Sequence, residues 1–205
     1  MKLQRVRRLD RLEGLKVRLR VRQLRHRAFH RGPVPAPTGL QQRWSMDFVH
    51  DQLADGRRFR VLTVVDQWSR LSKNLEVVQR VTGAAVAAVL DRLAERGLRP
   101  RSIAVDHGTE CSSQALDTSA FTRGVALDFT RPGKSTDNGH IESFNARVRD
   151  ACLNVHQFTS LDHAKAVIEA WRIDYTEHRP HGSLGHLTPT EYASTCQATG
   201  ASEAA

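Results

Sequence analysis

Residues 44–66 have the sequence WSMDFVHDQLADGRRFRVLTVVD, in which two extended segments flank an Asp-Gly pair. Apolar residues occupy every second position from Trp44 to Phe48, a pattern typical of a β-strand with two different faces. The Asp-Gly pair favours a tight hairpin turn. The valine-rich segment 59–66 therefore predicts a second strand that pairs with the first.

Strands and helices alternate in the rest of the chain. Apolar patterns predict further strands over 71–78, 102–105 and 125–129, and helices over 82–96, from Ser112 or Ser113 to Arg123, over 136–150, over 160–177 and after the capping box Thr188–Glu191. Three consecutive strands followed by alternating elements favour an α/β fold, a mixed sheet flanked by helices. Ribonuclease-H-like domains have this element order, and so do other α/β folds.

Positive charge is concentrated at the beginning of the chain. Of the 31 Lys and Arg in 205 residues, 12 lie in residues 1–31, together with two of the 22 acidic residues. That segment carries +10, whereas the remainder of the chain carries −1. Such asymmetry predicts a polyanionic partner, and we expect residues 1–31 to form a basic arm that binds nucleic acid. A solubilising tail is the alternative.

A proline-rich segment separates this arm from the rest. Prolines at alternate positions keep residues 32–39 extended and predict a linker. We therefore expect a basic arm at 1–31, a linker at 32–39, a folded core at 40–193 and a tail at 194–205.

The cysteines and the apolar runs exclude several classes of protein. Cys111, Cys152 and Cys196 are odd in number and far apart, which argues against a disulfide scaffold and a four-cysteine zinc site. They favour a reducing compartment. No apolar run approaches the ~18 residues of a membrane span, so a cytoplasmic protein is expected.

Three acidic residues occupy unusual positions. Asp47 lies within a predicted strand, Asp106 follows a buried strand, and Glu142 lies in a predicted helix. Carboxylates that cluster repel by about 4 kcal/mol per pair at 4 Å and an effective dielectric of 20, so such a cluster suits a cation site. Three carboxylates are what two-metal phosphoryl transfer requires. Chance spacing is the alternative, with Asp66 (a strand end or turn) and Asp137 (a helix N-cap) as rival acids.

Polar residues surround the third carboxylate. Asn138, Asn145 and Arg149 share the helix face of Glu142 at spacings of four, three and seven residues. Lys134, Arg147 and Arg149 flank it, and these basic side chains either hold substrate phosphates or form a solvated face.

Histidines form two further groups. His178, His181 and His186 lie near Arg179 and suit DNA contacts or turn positions better than a metal site. His26 and His30 are four residues apart, but no CxxC pair accompanies them, which argues against zinc.

The motifs together resemble those of a known family, the OrfB transposases of the insertion-sequence-3 family, which have an integrase catalytic core. The resemblance covers roughly residues 40–193. It is carried by WSMDFV at 44–49, ADGRRFRVLTVVD at 54–66, SR at 69–70, VDHGTE at 105–110, RPGK at 131–134, NGHIESFN at 138–145, RPH at 179–181 and LGHLTP at 184–189.

This resemblance implies a DDE triad at Asp47, Asp106 and Glu142 in a ribonuclease-H-like fold with two Mg²⁺ ions, for which Mn²⁺ can substitute. It implies cleavage that frees a 3′-hydroxyl and strand transfer into target DNA, without a covalent protein–DNA intermediate. The partners would be element ends and target DNA, further copies of the chain and an upstream helix-turn-helix protein, at the nucleoid of a bacterial cytoplasm. The residues expected to contact DNA are Arg18, Arg20, Arg22, Arg25, Lys134, Asn138, Asn145, Arg149, Arg179 and His181.

Some positions differ from the family pattern. His107 stands where Asn is usual, Cys111 where an aromatic residue is usual, and Thr176 and Gly182 where Asn and Ser are usual. These differences, with the short N-terminal region, support an alternative hypothesis: a truncated, catalytically inactive transposase that still binds DNA. A nucleoid or RNA-binding protein is a third hypothesis, which rests on the basic arm alone.

Overall fold

In the part of the chain that the structure describes, a five-stranded mixed sheet has helices on both faces. The computed structural model describes residues 35–106, 108, 110–130 and 138–202, with the backbone alone for 196–202. In chain order the elements are β1 (Arg43–Gln52), β2 (Arg58–Asp66), β3 (Ser72–Val78), α1 (Gly83–Glu95), β4 (Ser102–Val105), α2 (Gln114–Thr122), β5 (Ala126–Phe129), α3 (Gly139–Ala151), α4 (Leu161–Glu177) and α5 (Pro189–Ser202). The predicted α/β fold with a mixed, helix-flanked sheet is confirmed.

The sheet order is β3-β2-β1-β4-β5, which makes β1 the central strand. β1 and β2 form the predicted antiparallel hairpin, in register from Trp44 opposite Asp66 onward. Gly56 in the turn adopts a left-handed φ of 83°, which would cost most other residues about 1–2 kcal/mol. β4 pairs in parallel with β1, and β5 in parallel with β4. Such parallel pairs need crossover connections, which α1 and α2 provide.

Hydrophobic clusters cover both faces of the sheet. One face packs against α3 and α4 through residues that include Val49, Phe144 and Trp171. The other packs against α1 and α2 through residues that include Trp44 and Leu116. The alternation along β1 sends its side chains to opposite clusters, so Asp47 emerges on the side of α3.

Helix ends carry the expected caps. The hydroxyls of Thr82, Ser113 and Ser160 each accept a backbone N–H in the first turn of α1, α2 and α4. The capping box at α5 is confirmed, because Thr188 N–H donates to Glu191 Oε2 at 2.8 Å and Glu191 N–H donates to Thr188 Oγ1 at 3.2 Å. The prediction of Asp137 as N-cap is corrected: the N-cap of α3 is Asn138, and residue 137 lies outside the described residues.

Asp66 stabilises the turn between β2 and β3. Its fully buried carboxylate accepts hydrogen bonds from the backbone N–H of Ser69 at 2.8 Å and from the Ser69 hydroxyl at 2.9 Å through Oδ1. Its Oδ2 accepts the N–H of Gln41 at 2.9 Å. The prediction that Asp66 lies at a strand end or turn is therefore confirmed.

Several predictions concern residues outside those the structure describes. The basic arm with Arg18, Arg20, Arg22 and Arg25 belongs to this group, as do the first residues of the linker, Lys134 and His107. Within the described helices, none is long and apolar enough to cross a membrane.

Candidate active site

Asp47 lies on the central strand, beneath the first turns of α3. Its carboxylate is half-buried, and Oδ2 accepts a hydrogen bond of 2.8 Å from Asn145 Nδ2. Burial raises the pKa of Asp47, and the neighbouring carboxylates of Asp106 and Glu142 raise it further. Hydrogen bonds from the Phe48 backbone and from Asn145 oppose this rise. Asp47 is thus the centre of an acidic cluster.

The parallel pairing of β1 with β4 explains why Asp106 lies beside Asp47. Ser45 is in register with Ala104, and the same register extended by two residues brings Asp106 level with Asp47. The backbone N–H of Gly108 donates to Asp106 Oδ1 at 3.0 Å. The two aspartates, separated by 58 residues of sequence, therefore meet because their strands are neighbours.

Glu142 reaches the cluster from the first turn of α3. The buried stripe of this helix, Ile141, Phe144 and Val148, packs against the sheet. Glu142 is exposed on one flank of this stripe, one helical turn from Asn145. Asn145 of the same helix donates to Asp47, so α3 holds Glu142 on the side of the sheet where Asp47 emerges.

The three carboxylates suit a hard divalent cation by their chemistry, since Mg²⁺ prefers carboxylate oxygens. Within the ranges that the structure describes, no three His, Cys, Asp or Glu side chains lie close enough to hold a metal ion. The structure thus brings the acids into one electrostatic neighbourhood without the closed geometry of a metal-bound site.

The loop after Asp106 adds contacts that the sequence analysis missed. Glu110 Oε1 accepts a hydrogen bond of 2.7 Å from Arg60 Nη1 of β2. A Cβ on Gly108 would lie 3.0 Å from Asp106 Oδ1 and 3.4 Å from Glu110 Oε2. A side chain at this position would therefore crowd the Asp106 carboxylate, which would have to shift slightly. The motif that holds this glycine was its only signal in the sequence.

Cys111 is a second neighbour of Asp106. Its thiol is 1% exposed and hydrogen-bonds to the Asp106 side chain. Burial raises the pKa of this thiol, as do the charges of Asp106 and Asp47, so the sulfur keeps its proton as a donor. The departure from the family pattern at this position therefore provides a hydrogen-bond donor to the carboxylate.

The residues expected to contact DNA occupy different environments. Arg149 is exposed on the flank of α3 that carries Glu142, whereas Asn138 is 7% exposed at the start of the helix. Asn145 is bonded to Asp47. Arg179 donates to Asp174 Oδ2 at 2.6 Å, in an ion pair that leaves both side chains partly exposed.

Two basic residues lie in surroundings that the sequence did not indicate. His181 is only 4% exposed, so its burial does not suit the DNA contact predicted for it. Arg147 was grouped with Arg149 beside Glu142, but its Nη1 lies 2.9 Å from His181 Nδ1 on the other flank of α3. Sequence spacing alone does not say which flank of the buried stripe faces which neighbour.

The comparisons with known proteins agree with this geometry. Residues 37–135 and residues 123–189 both match the integrase core domain family. A protein of insertion element IS407 from Burkholderia multivorans (strain ATCC 17616 / 249) is 44% identical over 201 residues, which cover 98% of this chain and 72% of that protein. The chain belongs to the integrase core family of insertion-element transposases. The family predicted from the motifs is confirmed.

Other relatives of this transposase are also insertion-element proteins. A 39.2 kDa protein of IS476 from Xanthomonas euvesicatoria is 43% identical over 150 residues, which cover 73% of the transposase and 43% of that relative. The putative transposase InsK of IS150 from Escherichia coli (strain K12) is 24% identical over 199 residues, covering 90% of the transposase and 69% of InsK.

Solved structures share the fold of the transposase. The HTLV-2 integrase catalytic core domain, in complex with magnesium in a trimeric form, matches with a TM-score of 0.60 at 15% identity, over 76% of this chain and 98% of that one. A chain of the simian T-cell lymphotropic virus intasome, in complex with the PP2A regulatory subunit B56 gamma, matches with a TM-score of 0.63 at 17% identity. The match covers 75% of this chain and 55% of that one. The transposase therefore has the ribonuclease-H-like integrase fold.

Proposed function

We propose that this transposase catalyses magnesium-dependent cleavage and strand transfer of DNA at the ends of an insertion element. The observation that supports this most is the convergence of two elements on Asp47: the register of β1 with β4 brings Asp106 level with it, and Asn145, one turn from Glu142 on α3, donates to its Oδ2 at 2.8 Å. These acids come from the central strand, from the end of its parallel neighbour and from α3. Their mutual repulsion is what a bound cation relieves.

Asp47, Asp106 and Glu142 would hold two Mg²⁺ ions, and Mn²⁺ is expected to substitute. The magnesium complex of the HTLV-2 integrase core supports this choice of metal. When bound, the ions would activate the attacking oxygen and stabilise the leaving oxygen of a phosphodiester. Water would cleave the strand to free a 3′-hydroxyl, which would then attack the target phosphodiester.

The protein's own contribution is to orient the carboxylates. Asn145 holds Oδ2 of Asp47, while the N–H of Gly108 and the thiol of Cys111 hold Asp106. Such supporting hydrogen bonds fix ligand orientation before the metal or substrate arrives.

The proposed partners are DNA and further copies of the chain. Element ends and target DNA would be the substrates, and residues 1–31 would add sequence-independent attraction to the backbone. The intasome assembly of the simian T-cell lymphotropic virus neighbour supports multimers on DNA. An upstream helix-turn-helix protein remains a proposed partner for recognition of the element ends.

The test is a strand-cleavage and strand-joining assay with the full chain, element-end DNA and Mg²⁺ or Mn²⁺. We expect Glu142→Gln to abolish product while DNA binding persists. Glu95→Gln is the matched control, because Glu95 is exposed at the end of α1 on the other side of the sheet. Full activity of Glu142→Gln would refute the proposal. Binding without product by the unaltered chain in both metals would instead support the inactive remnant.

A further inference from the structure

Two arginines and two histidines meet beside the flank of α3 that faces away from Glu142. His140 and Arg147 lie on this flank, seven residues or about two turns apart. Arg70, from the turn between β2 and β3, donates through Nη1 to His140 Nδ1. Arg147 Nη1 lies 2.9 Å from His181 Nδ1. We call these four residues the basic cluster.

The basic cluster has no acidic counterpart in the part of the chain that the structure describes. None of the ion pairs there involves Arg70 or Arg147. Asp66 is the acid whose charge acts on Arg70, but both of its carboxylate oxygens already accept hydrogen bonds in the turn. Burial lowers the pKa of Arg70, and the charge of Arg147 lowers it further, although the Arg70 guanidinium stays ionised.

Donor capacity remains on both arginines. Each guanidinium has five N–H groups in a planar fork, and the histidine contact uses only a part of them. Arg147 is exposed and Arg70 is half-exposed, so an anion could approach from solvent. Two adjacent forks of this kind match the oxygens of a phosphate group.

The backbone of Arg70 supplies an independent argument. Its φ of 62° lies in the left-handed region, which costs a residue such as arginine about 1–2 kcal/mol relative to glycine. Glycine or asparagine would suit the turn better. Strained residues of this kind concentrate at functional sites. The presence of arginine at this position therefore indicates a functional role for its side chain.

We propose that Arg70 and Arg147 bind a phosphodiester of the DNA backbone, at a contact separate from the three carboxylates. The inference rests on the proposed function, because DNA is the substrate. His140 and His181 orient the two guanidiniums. The contact would position DNA without reading its sequence, since it involves phosphate alone.

The experiment measures binding of a short random-sequence DNA duplex by the full chain in EDTA, over a range of salt concentrations. We expect Arg70→Gly with Arg147→Gln to weaken binding about tenfold. The slope of log K against log salt should become shallower by about one for each lost contact. Arg96→Gln is the control, since Arg96 is an exposed arginine at the end of α1, across the sheet.

Folding controls keep the result interpretable. Arg70→Gly alone should leave the melting temperature unchanged or higher, because glycine relieves the strained φ, yet it should weaken DNA binding. Lysines at both positions should retain the salt slope, because the charges remain. An unchanged slope in the double variant, or an equal loss in Arg96→Gln, would overturn the proposal. Because the assay excludes divalent metal, an inactive catalytic site would leave its outcome unaffected.

Discussion

The acidic cluster should lower the free energy of unfolding of the metal-free protein. The variant Asp47→Asn, which removes one of the charges, tests this. The folded-state pKa of Asp47 is raised, so ionisation of this group opposes folding. This destabilisation is absent below the unfolded pKa of about 3.9 and is complete once the pH exceeds the raised folded pKa. An asparagine keeps an oxygen that can accept the hydrogen bond from Asn145. The variant should therefore be the more stable protein at neutral pH.

The expected gain in stability has two sources, the burial of the Asp47 carboxylate, which is the larger, and its repulsion by the neighbouring carboxylates. A carboxylate pair at 4 Å and an effective dielectric of 20 repels by about 4 kcal/mol, and larger separations and solvent reduce this value. We expect a gain of about 1–2 kcal/mol at pH 7.5 without metal, or a melting temperature higher by roughly 2–8 °C. The gain should disappear as the pH approaches 4, and Mg²⁺ should raise the melting temperature of the unaltered protein more than that of the variant.

Thermal unfolding followed by circular dichroism at pH 4 and 7.5, with EDTA or Mg²⁺, measures these shifts. Asp51→Asn is the matched control, because Asp51 lies four residues further along the same face of β1. We expect it to change stability by less than about 0.5 kcal/mol. A gain in Asp47→Asn that persisted at pH 4, or a loss of stability at pH 7.5, would refute the electrostatic explanation.

Three further substitutions test other contacts of the site and the fold. Gly108→Ala places a methyl group 3.0 Å from Asp106 Oδ1 and should lower strand-joining activity. Gly139→Ala is the control, because nothing lies within 4 Å of the added Cβ, and it should leave the activity unchanged. Equal activities of the two variants in a single-turnover assay would contradict this prediction. Asn145→Ala removes a hydrogen bond to a charged carboxylate and should weaken Mg²⁺ binding by about tenfold in calorimetry, so an unchanged affinity would exclude an orienting role. Thr188→Ala removes half of the capping box with Glu191 and should lower stability by about 1 kcal/mol in urea titration, with DNA affinity unchanged.

Local sequence signals were sufficient to predict most of the fold. The hairpin of β1 and β2 follows from alternation and an Asp-Gly turn, which are properties of a few neighbouring residues. The serine and threonine caps likewise depend on contacts within one helical turn. The parallel pairing of β1 with β4 was expected only from the order of elements, because residues 43–45 and 102–104 carry no signal for each other.

The candidate site was less predictable because its supporting contacts are distant in sequence. An acid within an apolar strand or at a strand end is conspicuous, and this drew attention to Asp47 and Asp106. The partners of those acids are ordinary polar residues: Asn145 is 98 residues from Asp47, and Arg60 is 50 residues from Glu110. Nothing in the local pattern distinguishes such a residue from a solvated one.

Helix α3 connects the two proposals physically. Its buried stripe holds it against the sheet, so its two flanks keep a constant orientation to Asp47 and to the turn of Arg70. At 100° per residue, Glu142 and Arg147 lie about 140° apart around the helix. A DNA backbone bound at both sites would therefore cross the first turns of α3, where the positive end of the helix dipole adds attraction for phosphate. Three carboxylates repel a polyanion, and basic groups on the opposite flank would supply the attraction that brings it to them.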